Sequence, residues 1–387
     1  MNPFPFVLAQ WRQSRTTLMA MALLIAIGSA ISLGVTSIER AVREASTRAA
    51  NRFDLIVGAA GNETQLVLTT VYLQPAALKL MSNEVLKRLQ ADPGVDYAAP
   101  ISTGDSFAGS PIVGTTKDFA SDQGNALLSS GRWFDDHREA VVGSNSSLRI
   151  GDTYIPLHGS ANENAIETHE HTGYVMRVVG RMAPTGTPWD SAIMVSFDSV
   201  LELHQHGDHG AGPPAIVVKP RSIMDAYRLR QIYRSGSTTA VFPAETLTSL
   251  YRTLGDVREL VFWVASAGQI LVLAAVLLGL YATLSARVQA LAALRAMGAN
   301  RVFIWLILWL QALAMLVVGF AVGVMTTVVL TSVATGFLTG KLGLVIDARM
   351  IASDFRPLMA MFAVGALSAA LVAWRVYVKP LPEALKD

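Results

Sequence analysis

The chain has 387 residues, of which 52% are hydrophobic and only 16% charged, and its mean hydropathy is +0.40. Soluble domains carry about 25% charged residues, so this composition indicates a chain that is partly embedded in lipid. The net charge of +2 argues against nucleic acid as a partner, and the absence of cysteine excludes disulfides, thiolate chemistry and cysteine metal ligands.

Four long apolar runs dominate the sequence, and they lie at 17–36, 260–284, 302–330 and 358–377. A helix needs about 20 apolar residues to cross a bilayer, so each run predicts a transmembrane helix. The first run is longer than the apolar centre of a secretory signal, which favours an uncleaved anchor over the alternative of a cleaved leader. The stretch 4–11 before it mixes aromatic and basic residues and predicts a short interfacial helix.

Basic residues predict how the chain is oriented in the membrane. Arg287, Arg295 and Arg301 lie between the second and third runs with no acidic residue among them, and Lys379 follows the fourth run. The positive-inside rule places these segments and both termini in the cytoplasm. No ionisable residue falls deep inside a run, which argues against an ion channel or a proton-coupled carrier.

The polar sequence between the first two runs, residues 38–257, alternates between helical and strand periods and predicts an α+β domain on the outer side. Helices are predicted at 38–52, after Ser82, at 223–233 and at 246–260. Strands are predicted at 96–101, 107–115, 140–143, 174–180, 192–196 and 215–219. The first and last of these helices adjoin apolar runs, so we expect them to act as rigid stalks.

Several short motifs resemble those of a known family. They are Gly131-Arg132-Trp133-Phe134, Glu139-Ala-Val-Val-Gly143, Gly151-Asp152, Val178-Val-Gly180, Trp189-Asp190, Ala293-Leu-Arg-Ala-Met-Gly-Ala299, Gly319, Gly323, Pro380 and Pro382-Glu-Ala-Leu-Lys386. Their order and spacing along the whole chain resemble those of the MacB-like and FtsX-like permeases of ABC transporters. One position departs from the family, because Gln311 stands near the start of the third run where an acidic residue is common.

The resemblance implies a specific architecture and specific partners. The expected fold is four transmembrane α-helices (1+3) with a large α+β periplasmic domain inserted between spans 1 and 2. Its parts are 1–37 (interfacial helix and first span), 38–257 (MacB-like core domain with stalks) and 258–387 (FtsX-like domain). The chain would sit in a bacterial inner membrane as a multi-pass protein, as a homodimer or beside a sister permease. A cytoplasmic ABC ATPase dimer would bind it.

The cytoplasmic loop 285–301 is the predicted ATPase-coupling segment. Leu291, Leu294 and Met297 share one face of a short helix, with arginines at its edges, as in amphipathic helices that seat in a partner's groove. The predicted coupling residues are Arg287, Leu291, Leu294, Arg295, Met297, Gly298, Ala299 and Arg301. Gly298 would end the helix, because glycine tolerates the left-handed cap geometry. The alternative is an interfacial loop whose arginines only obey the charge rule.

We predict no catalytic residue and no nucleotide bound by this chain. The sequence has no His-Glu-x-x-His and no Gly-x-Ser-x-Gly motif. Gly336-Phe-Leu-Thr-Gly340-Lys341 resembles a phosphate loop only superficially, since its glycines are spaced by three residues rather than four and leucine follows the lysine. ATP would therefore act only through the separate ATPase subunit.

All seven histidines lie in the predicted periplasmic domain, in part because apolar spans avoid them. Two groups, His204, His206 and His209, and His169 and His171, predict contact with a metal, most naturally zinc. The alternative is a solvated polar loop. Two functions follow: a permease subunit that transmits ATP-driven motion to the periplasm, for export, extraction or zinc-linked transport, or a metal-responsive receptor that regulates a periplasmic partner without transport.

Overall fold

The computed structural model describes residues 4–13, 15–158, 169–170, 173–204, 212–253 and 298–378, with isolated positions between 255 and 281. The chain divides into two compact units. The first comprises residues 1–41, 255–336 and 347–387, and the second comprises residues 42–254 and 337–346.

The described α-helices are numbered in chain order. They are α1 (Phe4–Gln13), α2 (Arg15–Ala50), α3 (Glu63–Tyr72), α4 (Asn83–Ala91), α5 (Lys117–Ala120), α6 (Phe197–Leu203), α7 (Ile223–Tyr233), α8 (Pro243–Thr253), α9 (Arg301–Leu342) and α10 (Arg356–Val378). Among these, α2, α9 and α10 contain stretches long and apolar enough to cross a bilayer. About half of the predicted span at 260–284 lies outside the described residues, so the count of four spans stays a prediction.

The helix α2 is longer than the first predicted span. The sequence suggested a span at 17–36 followed by a separate polar helix at 38–52, but a single helix of 36 residues runs from Arg15 to Ala50. No proline interrupts this stretch. Ser29 and Thr36 donate their hydroxyls to carbonyls one turn earlier, Ile25 at 2.6 Å and Ser32 at 3.1 Å, so these polar groups are satisfied inside the helix.

Within the first unit, α2 and α9 approach each other closely at two glycines. A Cβ placed on Gly319 would lie 2.6 Å from Ile25, and one on Gly323 would lie 2.6 Å from Ser29. These glycines remove the side chains that would otherwise hold the two helices apart. The helix α9 also packs on α10, where the indole of Trp309 donates a hydrogen bond to the Ala366 carbonyl at 3.2 Å.

A buried ion pair joins the later part of α2 to the segment before α10, again within the first unit. The guanidinium of Arg40 donates to the carboxylate of Asp354 at 3.1 Å, and Ser37 donates to the same carboxylate at 3.3 Å. Asp354 is 5% exposed. A carboxylate this buried is tolerated because it is both paired and hydrogen-bonded.

The second unit is built around a mixed β-sheet. Its described strands are β1 (Leu55–Ala59), β2 (Val95–Phe107), β3 (Ser110–Thr115), β4 (Leu128–Gly131), β5 (Glu139–Val142), β6 (Thr153–Tyr154), β7 (Leu157–His158), β8 (His169–Glu170), β9 (Met176–Met182), β10 (Ile193–Ser196), β11 (Ala215–Pro220) and β12 (Thr238–Val241). Their order is β12-β1-β11-β2-β3-β10-β5-β9-β4, and the short β6 and β7 add to β9 and β2. The pairs β3–β10 and β5–β9 are parallel, and the other pairs are antiparallel.

The long strand β2 belongs to both halves of this sheet, because its first part pairs with β11 and its second part with β3. Each half has its own buried core. The first core contains Leu89 of α4, Leu229 of α7 and Val57 of β1. The second contains Ile193 of β10 and Val200 of α6. The α+β class expected for this domain is therefore observed.

Most predicted elements of the domain are present, with several displaced boundaries: β2 runs six residues beyond the predicted 96–101, β9 lies two residues after the predicted 174–180, and α8 begins three residues before the predicted 246. The helix α4 is capped by the side chain of Ser82, and α7 has the predicted limits. The strand predicted at 107–115 begins too early, because Ala108 and Gly109 form a two-residue turn, with φ of +47° and +83°, between β2 and β3. Two positive φ values in succession are typical of tight hairpins.

Candidate functional site

Three metal-type ligands meet at one point of the second unit. The Nδ1 atom of His158 lies 3.0 Å from Oδ1 of Asp105, and Nε2 of His204 lies 3.3 Å from that Nδ1 and 3.5 Å from that Oδ1. The two imidazole rings meet edge to face, with centroids 5.3 Å apart. We call this group, Asp105, His158 and His204, the histidine–aspartate cluster.

Three different elements position these side chains. Asp105 follows a register shift in β2, and in the antiparallel pair of β2 with β7 its backbone partner is His158. The hydroxyl of Ser196 caps α6 by accepting a hydrogen bond from the Ser199 N–H at 3.1 Å, and His204 is the residue that ends the same helix. Strand pairing therefore fixes two of the ligands, and a capped helix brings the third.

The orientation of the His204 ring follows from a backbone contact. Its Nδ1 lies 2.8 Å from the Val200 carbonyl oxygen. A carbonyl accepts but cannot donate, so Nδ1 carries the hydrogen. In the neutral ring the Nε2 atom then carries a lone pair, and this lone pair faces Asp105 and His158. A ring nitrogen held in this way by a carbonyl is the usual arrangement behind a metal-binding histidine.

The cluster is buried at its carboxylate and open at its imidazoles. The side chain of Asp105 is 3% exposed, whereas those of His158 and His204 are 51% and 37% exposed. Burial alone would raise the pKa of Asp105, but hydrogen bonds and charge from His204 and His158 bring that pKa below its ordinary value. The hydrogen bond to Asp105 raises the pKa of His204. The cluster therefore favours positive charge beside this carboxylate.

Only part of the predicted histidine groups can be placed. His204 belongs to the cluster, and His169 is the backbone partner of His158 in the pair of β7 with β8. His171, His206 and His209 lie outside the described residues. Sequence reasoning missed Asp105 and His158, because they are 53 residues apart and meet only through strand pairing.

The predicted coupling segment is described only at its end. Its residues from Arg287 to Met297 lie outside the described part of the chain, and α9 begins at Arg301. Gly298 has a φ of +95°, a conformation that glycine adopts without strain. Ala299 follows it in a non-helical conformation before α9. The role of the segment in coupling stays a prediction.

The phosphate-loop-like stretch is helical in the structure. Residues 336–341 fall within α9, which continues to Leu342. A phosphate loop presents consecutive free backbone N–H groups to its ligand, whereas those of a helix interior are already bonded. This stretch therefore lacks the backbone form that a phosphate site needs.

Two of the motifs that carry the family resemblance make structural contacts within the second unit. Arg132 forms a two-pronged ion pair with Glu139, whose carboxylate also accepts the Asp135 N–H at 3.0 Å. A Cβ at Gly180 would clash with the Arg132 carbonyl, so glycine is needed where β9 passes this turn.

The Trp189-Asp190 motif is buried in the same way. The indole of Trp189 donates to the Val71 carbonyl at 3.2 Å and packs edge to face on Phe119. Asp190, 1% exposed, accepts the Gly186 N–H at 2.7 Å and the Thr185 N–H at 2.8 Å. These residues hold loops in place, and none forms a reactive pair.

No family model matches the chain, and no curated protein matches it in sequence. Among solved structures, it is similar to the periplasmic region of MacB from Actinobacillus actinomycetemcomitans, with 10% identity and a TM-score of 0.36 over 53% of this chain and 95% of that one. It is also similar to the extracellular domain of the noncanonic ABC-type transporter YknZ from Gram-positive bacteria, with 14% identity and a TM-score of 0.30 over 48% of this chain and 98% of that one.

Proposed function

We propose that this chain is a permease subunit of an ABC transporter in a bacterial inner membrane, with no enzymatic activity of its own. A separate cytoplasmic ATPase dimer supplies the work. The permease transmits that work to its periplasmic domain, which handles a substrate or a periplasmic protein. A second copy of the chain, or a sister permease, completes the membrane part.

One observation carries this proposal: α2 and α9 each contribute residues to both compact units without a break. The helix α2 includes residues on both sides of the boundary at 41/42, and α9 includes residues on both sides of the boundary at 336/337. Each is much longer than the roughly 20 residues that cross a bilayer. A continuous helix passes on displacement of one end, whereas a flexible linker absorbs it.

The energy must enter at the cytoplasmic side, and the basic segment 285–301 is the candidate entry point. The apolar face predicted for it from Leu291, Leu294 and Met297 fits the groove-binding mode of amphipathic helices. Gly298, with its positive φ, separates this segment from α9. Force applied there would reach α9 directly through the chain.

Co-purification tests the coupling. We expect the tagged chain, extracted from its own bacterial membranes, to bring down an ABC ATPase, and we expect Arg295→Glu or Gly298→Leu to reduce its recovery at least tenfold. The charge reversal Lys87→Glu, at an exposed position of α4, is the matched control and should leave recovery unchanged. If both coupling variants recover as much ATPase as the natural chain, the coupling assignment is wrong.

The second candidate function, a metal-responsive receptor, is favoured by the histidine–aspartate cluster. In that account no ATPase accompanies the chain, and metal controls the binding of a periplasmic protein instead. The same purification separates the two functions when it is done with zinc and with a chelator. ATPase recovered under both conditions favours the permease, whereas zinc-dependent recovery of a periplasmic protein without an ATPase favours the receptor.

A further inference from the structure

The donor atoms of the histidine–aspartate cluster form a triangle of the size that zinc requires. Zinc binds imidazole nitrogen and carboxylate oxygen at about 2.0–2.2 Å in a tetrahedron, so neighbouring donors stand about 3.3–3.6 Å apart. The three sides measured between Asp105, His158 and His204 are 3.0, 3.3 and 3.5 Å. An ion at this triangle needs donor movements of only a few tenths of an ångström.

The three donor atoms of the cluster also favour a positive charge between them. The Val200 carbonyl holds the hydrogen of His204 on Nδ1, which leaves Nε2 without one in the neutral ring. That nitrogen faces the oxygen of Asp105, which in its ionised form only accepts hydrogen bonds. A single proton on Nδ1 of His158 bridges one pair of these atoms, whereas a divalent cation contacts all three of them.

Strand pairing holds the backbone of the cluster in place, and its two imidazole rings are open to solvent. The backbone of His158 is paired to both β2 and β8, and Asp105 is buried beneath it. The side chains of His158 and His204 are 51% and 37% exposed. An ion can therefore enter from solvent, and a water molecule can complete its coordination, as in open zinc sites with three protein ligands.

We propose that Asp105, His158 and His204 form a zinc-binding site in the extramembrane domain, with Nδ1 of His158, Nε2 of His204 and a carboxylate oxygen of Asp105 as ligands. The inference rests on this geometry alone and stands apart from the permease function. It differs from the sequence-based prediction, because two of its three ligands lie outside the histidine groups identified there.

Zinc titration of the full-length, detergent-solubilised protein against a chromophoric chelator tests the site. We expect one zinc ion per chain, and we expect Asp105→Asn, His158→Gln and His204→Gln each to weaken zinc affinity at least tenfold. His137→Gln is the matched control, since it removes an exposed histidine of the same domain outside the cluster and should leave affinity unchanged. Zinc should also raise the melting temperature of the natural chain and of His137→Gln, but not of His158→Gln.

Two further measurements decide which residues bind the ion. Cobalt in a four-coordinate site absorbs visible light strongly, so cobalt added to the natural chain should produce this band, and His204→Gln should abolish it. Melting curves without metal identify any variant that fails to fold; Asp105→Asn, which keeps the size of the side chain, is then the deciding variant. The proposal is overturned by the absence of zinc binding, or by binding that survives Asp105→Asn and His158→Gln and is lost in the double variant His206→Gln/His209→Gln.

Discussion

The ion pair between Arg132 and Glu139 shows what two of the family-like motifs do at the scale of single residues. Arg132 precedes a turn and Glu139 begins β5, and their paired contact closes the loop between them. The backbone N–H groups of Asp135 and Asp136 point at the same carboxylate. The Arg132 hydrogen bond, followed by these backbone hydrogen bonds, lowers the pKa of Glu139 from 4.5 to about 2.

This lowered pKa predicts a pH-dependent contribution to stability. A carboxylate whose folded pKa lies below its unfolded pKa stabilises the fold above pH 4.5, and loses that effect as pH falls through 4.5 towards 2. We expect Glu139→Gln to cost roughly 1–2 kcal/mol at pH 7, less than the full pKa shift implies because Arg132 is half-exposed, and to cost little near pH 2.

Thermal unfolding of the two proteins across this pH range measures the difference. Glu84→Gln is the control, because Glu84 forms only an exposed pair with Arg88 one turn along α4 and should show no comparable trend. A stability difference between the natural chain and Glu139→Gln that is the same at pH 7 and pH 2 would refute the assigned role of this ion pair.

Partnerships between individual side chains were the feature that the sequence predicted least. The histidine group containing His204 was visible as a local pattern. The partnership of His204 with Asp105 and His158 was not, because it depends on the register of β2 with β7 and on where α6 ends. A shift of that register by one residue would turn His158 to the other face of the sheet.

At the scale of elements, helix packing within the first unit depends on two glycines of α9. Gly319 and Gly323 stand where a side chain would meet α2, whereas a Cβ at Gly336, farther along the same helix, would meet nothing within 4 Å. A larger side chain is therefore excluded at two glycines of this helix and accommodated at a third, and this contrast provides a matched pair of variants.

We expect Gly323→Leu to destabilise the chain by about 1–3 kcal/mol, because the new side chain overlaps Ser29 and the Ala26 backbone. Gly336→Leu should be neutral or slightly stabilising, since leucine favours helix more than glycine does. The melting temperatures of the two variants in detergent provide the comparison. Equal losses in both would show that the close contact of α2 with α9 is absent.

Some elements of the second unit were predicted well from the sequence, and others were missed. The helices α4 and α7 each begin after a capping serine, and both lie where expected. The helix α3 was missed because its β-branched residues blur the helical period, and the strand β12 was missed as well. The unbroken length of α2 was missed because its sequence changes from apolar to polar after the predicted span, while the backbone stays helical.

At the scale of the whole molecule, the account depends on the sides of the membrane that the parts face. The apolar stretches of α2, α9 and α10 indicate a membrane protein, and the second unit is built around a large mixed β-sheet. The proposed transmission of work requires this domain and the basic segment 285–301 to lie on opposite sides. The positive charges predict that arrangement, but a sheet domain of this kind can face either compartment.

Labelling of single cysteines tests this most directly, because the natural chain has no cysteine. Ser235→Cys places a thiol at an exposed position after α7, and Ala299→Cys places one just before α9. In spheroplasts, a maleimide that cannot cross membranes should label position 235 at once and position 299 only after lysis, with both labelled equally in detergent. Labelling of both positions in intact spheroplasts, or of neither before lysis, would put the two sites in one compartment and contradict the account.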